Sequence, residues 1–371
     1  MTDTIGRAAV LHEYDTPFTI EEYPLPTPDP GGLLVRIDVA TVCGSDVHVW
    51  LGHLAATMPI TPPLILGHEM VGIITTLGDG VTEDSLGNPL AVGDRIVWAH
   101  RSCGHCHECT VSKQPQLCTH RYVGYLNDCS VPPHFTGTFA EYSYVVPGAG
   151  TLRVPDGVKS TWASAASCAL RTVVKAAQVA GRIDSQESVL IQGAGPLGLF
   201  ATALLAAGGP RQIIVVGGPD DRLDLARAWG ATDTVSVTEH PDGPSRVARV
   251  RELTGGAGVD VGFEFAGVNG AVAEGVEMLR RNGRYVVMGT LGNGVQTVDA
   301  AMITTRGLRI SGSMSGEIGD YHEALQFMDR YQDRYEWDRM IGNEYPLDQV
   351  AEAMASMRSM REIKPVIRPG R

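Results

Sequence analysis

Two textures divide this chain. Up to about residue 150, short apolar or alternating runs such as LLVRIDVA (33–40) and VGIITTLG (71–78) are separated by Gly- and Pro-rich turns, the pattern of an irregular β-rich domain. From about 165, apolar runs of strand length alternate with longer amphipathic or alanine-rich runs: SVLIQGAG, PLGLFATALLAAG, QIIVVGG, DRLDLARAWG, VDVGFEFAG, NGAVAEGVEMLRRNG and RYVVMG. That succession predicts βαβ units in a parallel sheet, with NGAVAEGVEMLRRNG read as one helix. After about 315, YHEALQFMDRY and LDQVAEAMASM read as amphipathic helices, and KPVIRP as a short terminal strand packing back on the first domain. The expected fold class is therefore α/β, with domains at 1–165 and 166–314 and a returning segment at 315–371. No tandem repeat is evident.

The stretch VLIQGAGPLGLFATALLAAGG (189–209) approaches the length and apolarity of a membrane span. Its glycines predict a strand, a tight turn and a buried helix instead. In GAGPLG, Gly193, Gly195 and Gly198 hold GxGxxG positions between strand and helix, with Pro196 and Leu197 opening the helix. There glycine lets the backbone approach a pyrophosphate, and the helix N-terminus favours its charge. Gly217 ends the second strand, where an NAD site usually carries Asp or Glu on the ribose hydroxyls. Asp220 and Asp221 follow, with Arg222 as the alternative ligand for a 2′-phosphate; NAD is expected, NADP is the alternative. A carboxylate introduced at 217 is expected to strengthen the preference for NAD.

Composition is that of a soluble globular protein, 43% hydrophobic and 19% charged over 371 residues. A net charge of −12 argues against nucleic-acid or membrane partners. MTDTIGRAAV has no apolar core of signal-peptide length, so a cytoplasmic protein with reduced thiols is expected. The cysteines are seven. Cys103, Cys106 and Cys109 recur every third residue in SCGHCHEC, a spacing unlike that of free cysteines in a loop. Elsewhere TVCGSDVH offers Cys43, Ser45, Asp46 and His48, LGHE offers His68 and Glu69, and ASCALRT offers Cys168. Two thiolates and an imidazole make three ligands with one vacant position, the layout of a catalytic zinc.

Taken in order, CGSDVH, GHE, VGDRIV, the CxxCxxC lobe, the Cys168 segment and GAGPLG resemble the zinc-dependent medium-chain alcohol dehydrogenases over essentially the full chain. The resemblance implies a GroES-like catalytic domain and a Rossmann domain, two zinc ions, and reversible hydride transfer between an alcohol or carbonyl and NAD(P), with zinc as Lewis acid. It assigns Cys43, His68 and Cys168 to the catalytic zinc, with Glu69 beside them as support or exchangeable ligand, and makes a lobe at about 100–120 the closed site of a structural zinc held by Cys103, Cys106, Cys109 and, as fourth ligand, Cys118, to which Cys129, His105 and His107 are alternatives. Asp46 orients His68, and Ser45 and His48 relay the proton. Thr172 lies against the nicotinamide, and Arg368 assists at the pyrophosphate, since Gly44 stands where some relatives carry a basic residue. Trp50, Leu54, Trp98 and Ala99 fall near pocket positions, and the insert 122–137 shapes its entrance. LRISGSM (308–314) is the strand through which relatives pair, implying a homodimer or homotetramer. GHEMVG, LGNPLAVGDRIVW and QPQLC resemble a bacterial branch associated with phosphonate catabolism; such substrates would need a cationic patch, from Arg101, Arg121 or Arg171. The competing readings are a zinc-free quinone or enoyl reductase of the same architecture, which lacks the open-site ligands, and a non-catalytic zinc-containing binding protein.

Overall fold

LLVRIDVA builds the strand Leu33–Thr41, the pivot of a seven-stranded sheet. Along one edge it pairs antiparallel with Glu69–Leu77; along the other it shares its length between Tyr142–Val145 and Lys364–Ile367. The structure, a computed structural model, describes residues 4–55, 60–289 and 295–370. Its chain forms two compact units: residues 1–171 with 316–371, and Thr172–Ser315. The first break falls a few residues later than the change of texture, so Cys168 belongs to the first unit.

In that first unit, Val35, Ile37, Ile74 and Phe139 share one core with Val350, Ala353, Met354 and Ile367 from the C-terminal stretch. Each such side chain contributes roughly 1.5–3 kcal/mol when fully buried, so the returning segment is integral to this core.

The second unit carries a six-stranded sheet in the order Asp233–Ser236, Gln212–Gly217, Ser188–Gln192, Val259–Glu264, Leu279–Val287, Arg309–Gly312. All pairs are parallel. In chain order this is 3-2-1-4-5-6, the doubly wound dinucleotide-binding arrangement, and its switch point lies beside Ser188–Gln192. Every residue of that central strand is buried, as a parallel strand covered on both faces requires. The apolar stretch at 189–209 divides into this strand and the helix Pro196–Gly208, ended by Gly209 in the left-handed region at φ 70°. Among the described residues no helix is long and apolar enough to cross a membrane.

The run NGAVAEGVEMLRRNG differs from expectation. The helix covers only Ala271–Met278, and Leu279 already pairs with Val259 in the sheet. Asn282 adopts φ 61°, which no helix continues through. Burial of Leu279 within the sheet core outweighed the helical preference of its neighbours.

Candidate metal centre and nucleotide loop

Cys43 is the N-cap of the helix Gly44–Trp50, and the third residue of that helix, Asp46, completes a capping box. The fully buried Asp46 carboxylate then does more than cap. Its Oδ2 accepts from Cys43 N–H at 2.9 Å, while its Oδ1 accepts from Gly67 N–H at 3.2 Å and lies 3.0 Å from His68 Nδ1. One side chain thus fixes the backbone at one ligand, the turn before another, and the tautomer of His68, whose Nε2 is left for a metal. Cys168 comes from a different local structure, the π-helical turn Ala166–Leu170 that follows the helix Ser160–Ala165. Such turns recur at functional sites because the widened ring re-aims one side chain.

Ligand atoms of Cys43, His68, Glu69 and Cys168 all lie within 4.8 Å of one another. The two thiols are unequal. Contact with Cys168, together with burial, pushes Cys43 up to about 11; the same contact holds Cys168 well below the ordinary thiol value. Burial opposes the charge of His68, but Asp46 raises it well above its usual range. Two sulfurs, an oriented imidazole and a carboxylate held this close fit a divalent, thiophilic cation.

Glu69 has an anchor that sequence reasoning missed. Lys364 Nζ lies 2.5 Å from both of its carboxylate oxygens and donates to Val42 O at 3.2 Å. Thr41 Oγ1 donates to Glu69 Oε2 at 2.6 Å. Burial raises Glu69 to about 8 while Lys364 pulls it down; the ammonium, lowered by burial, is raised in net by Glu69. Two contacts of 2.5 Å describe an ion pair that engages the Glu69 carboxylate beside Cys43, His68 and Cys168. The one available signal was a lysine at the head of the apolar run KPVI.

Ser45 Oγ lies 3.7 Å from Cys43 Sγ. His48, one turn further along the same helix, has Nδ1 3.2 Å from Nδ1 of His53, and burial lowers its pKa. Tyr125, within the insert, stacks on His68 at 4.4 Å and lies 5.8 Å from the His100 ring. A cavity of about 30 Å³ runs from His68 to Arg101, lined by Trp98, Ala99, Tyr125 and Thr138. Trp50 and Leu54, expected near the pocket, are not among its lining: Trp50 Nε1 donates to Thr16 O at 2.7 Å, and both residues pack on the main core. Trp50 ends the helix Gly44–Trp50, and Leu54 lies in the turn that follows it.

In the lobe, the sulfurs of Cys103, Cys106, Cys109 and Cys118 also lie within 4.8 Å of one another. Backbone N–H groups of Cys103 and Cys106 point at Cys118 Sγ and Cys103 Sγ at 3.3 and 3.4 Å, the environment of thiolates. The alternatives lie elsewhere. Cys129 sits in a separate core with Phe135 and Tyr142, His105 Nδ1 contacts Cys103 O at 2.8 Å, and His107 begins the short helix His107–Thr110. A closed four-sulfur shell fits a structural zinc.

In the second unit, Gly193 has φ 107°, and a Cβ on Gly198 would collide with Gly193 O, so the turn admits no other residues. A Cβ on Gly195 would meet nothing within 4 Å, leaving open space before the helix that Pro196 and Leu197 begin. That cradle fits a pyrophosphate. Thr172 is 7% exposed on the helix Arg171–Ala180. Gly217 overturns one expectation: a Cβ there would lie 2.7 Å from Ala194 N, so a carboxylate cannot be added without displacing the glycine turn. Asp220 Oδ1 accepts from Ser236 Oγ at 2.7 Å, and Arg222 is 6% exposed. In the first unit, Arg368 bonds Glu344 at 2.8 Å and Asp38 at 3.4 Å, so it is engaged by carboxylates instead of presented to a phosphate.

Residues 29–156 match the alcohol dehydrogenase GroES-like domain, and residues 196–330 match the zinc-binding dehydrogenase domain. The chain is 36% identical over 365 residues to 5-exo-hydroxycamphor dehydrogenase of Pseudomonas putida, covering 98% of each. Among solved structures it resembles an alcohol dehydrogenase from Thermotoga maritima, with TM-score 0.90, 29% identity, and coverage of 99% of this chain and 100% of that one. It also resembles a zinc-binding dehydrogenase from Sinorhizobium meliloti bound to NADP, with TM-score 0.82, 26% identity, and coverage of 99% and 100%.

Proposed function

We propose, for a chain that belongs to the zinc-dependent medium-chain alcohol dehydrogenase family, a specific division of labour within the reaction that membership brings, NAD(P)-dependent oxidation of a small-molecule CH–OH group or its reverse. Cys43, His68 and Cys168 hold a catalytic zinc; Cys103, Cys106, Cys109 and Cys118 hold a structural one. Bound at the open site, zinc supplies Lewis-acid polarisation of the substrate oxygen. Asp46 keeps the proton of His68 on Nδ1, and Lys364 and Thr41 hold Glu69 beside the ligands. Ser45 Oγ would accept the proton of the alcohol while releasing its own hydroxyl proton towards His48, one helical turn away. GAGPLG seats the dinucleotide. NAD is the proposed cofactor, since Asp220 and Asp221 beside Gly217 would repel a 2′-phosphate and the buried Arg222 offers no exposed guanidinium to one.

The observation that carries this reading is the cluster of Cys43, His68, Glu69 and Cys168 with Asp46 behind it. A zinc-free reductase has no use for such ligands, and a purely structural protein none for a second, open cluster. The test is an alcohol panel with NAD and NADP in parallel, following reduced nicotinamide, alongside metal analysis. Two zincs per chain and alcohol-dependent reduction support it; one zinc with no turnover overturns it.

A further inference from the structure

Two arginines converge beside the proposed catalytic zinc ligands. Arg121 Nη2 and Arg171 Nη1 both donate to a single acceptor, Gly316 O, each at 3.4 Å. Arg171 is 3% exposed, lies over the Tyr321 ring at 5.1 Å, donates from Nε to Ser167 O at 3.0 Å, and places Nη2 3.8 Å from Cys168 Sγ. Among the described residues Arg121 donates otherwise only to Gln116 O, at 3.1 Å, its buried Nε has no hydrogen-bond partner, and no carboxylate reaches ion-pair distance of it.

Such an arrangement is costly by itself. Guanidinium groups that share one carbonyl repel, and the Nε donor of Arg121 is left unused. Burial and the charge of Arg171 both lower the pKa of Arg121; burial and then the two arginines hold His100 well below its usual value, hence neutral. Glu317 is the carboxylate whose charge acts on Arg121, but it does not pair with it. An oxyanion set between the guanidinium groups would turn the repulsion into two charge-assisted contacts. Arg101 is not part of this pair: it is exposed and lies 5.6 Å from the Tyr122 ring.

We infer that Arg121 and Arg171 form an oxyanion subsite beside Cys168 and His68, so that the preferred alcohol carries a carboxylate or phosphate group. The shared chemistry is a small planar or tetrahedral oxyanion, tethered to the reacting carbon by a short chain. The inference rests on the dehydrogenase reading for its substrate, but not for its anion site.

Three alcohols of matched length test it: 4-hydroxybutanoate, 3-hydroxypropyl phosphate and 1-butanol, with zinc-loaded wild type, Arg121→Gln and Arg121→Lys. Arg121 is the site of choice because Arg171 also supports the fold. The reading is the ratio of kcat/KM for each anionic alcohol to that for 1-butanol within one variant, which partial loss of metal or fold leaves unmoved. Wild type is expected to favour at least one anion by at least about tenfold, through KM; Arg121→Gln is expected to lower that ratio at least about fivefold, with Arg121→Lys partly restoring it. The larger ratio tells carboxylate from phosphate. A wild-type ratio near one, or a ratio that Arg121→Gln does not change, overturns the inference. A second reading needs no turnover: inorganic phosphate or acetate should raise the Tm of wild type and not of Arg121→Gln. If no alcohol is oxidised, that shift upholds the anion subsite while the dehydrogenase reading fails; absence of both defeats both.

Discussion

Replacing Asp46 by Asn removes a charge and almost no volume, and the structure gives the size of the effect. Three donors converge on the two carboxylate oxygens: Cys43 N–H on one, Gly67 N–H and His68 Nδ1–H on the other. An amide has one oxygen, so in either orientation its NH₂ faces at least one of these N–H groups. Turned to serve His68 and Gly67, it orphans the Cys43 amide; turned the other way, it orphans two donors and frees the imidazole tautomer. Each buried unsatisfied donor costs about 1–3 kcal/mol, so a loss of roughly 2–4 kcal/mol is expected. In a chain of this size that lowers Tm by roughly 3–5 °C. Loss of the partner that orients a metal-binding histidine should also weaken zinc at that site roughly 10- to 100-fold. Competition with a chromophoric chelator separates the two zincs, since the lobe should keep wild-type affinity. If Asp46→Asn retains both zincs at wild-type affinity and melts with wild type, the carboxylate is not the organiser described above.

Four further outcomes are expected. Cys168→Ser should abolish turnover yet keep the fold and the lobe zinc; activity with full metal content would remove Cys168 from the ligand set. Cys106→Ser should lose one zinc and melt well below wild type, because metal binding at a closed site contributes directly to folding; an equally stable protein with two zincs would falsify the lobe assignment. Gly217→Asp should weaken binding of both NAD and NADP, as the new Cβ displaces Ala194 N from 2.7 Å; fluorescence titration showing tighter NAD binding would count against the steric argument. The strand Arg309–Gly312 is exposed along its length at the sheet edge, so a homodimer or tetramer is expected, and light scattering that finds a monomer at micromolar concentration would exclude it.

What could be read from the sequence was local. GAGPLG and its flanking periodicities specify strand, turn and helix within one short window, and CxxCxxC encodes its own proximity. Lys364 was not visible, because its partner Glu69 is 295 positions away and only the pairing of Lys364–Ile367 with Leu33–Thr41 brings them together. Tyr125 was hidden for a related reason: it sits in an insert with no periodicity, and its role comes from stacking on His68. Gly217 was misread because a vacancy in sequence looks like room for a side chain, whereas the neighbouring turn occupies that space.

The ion pair between Glu69 and Lys364 also sets a timetable for synthesis. Thr172–Ser315 is contiguous, and can fold as soon as it leaves the ribosome. The other unit cannot: the three side chains proposed to bind metal emerge early, but strand Lys364–Ile367 and the lysine that neutralises Glu69 come nearly two hundred residues after Cys168. Until then the nascent chain holds a carboxylate next to two thiols with no cation beside it, in an unfinished sheet. A nascent chain halted before Lys364 should therefore be protease-resistant over 172–315 and sensitive over 1–171, and the ligands should capture metal in its final geometry only after release.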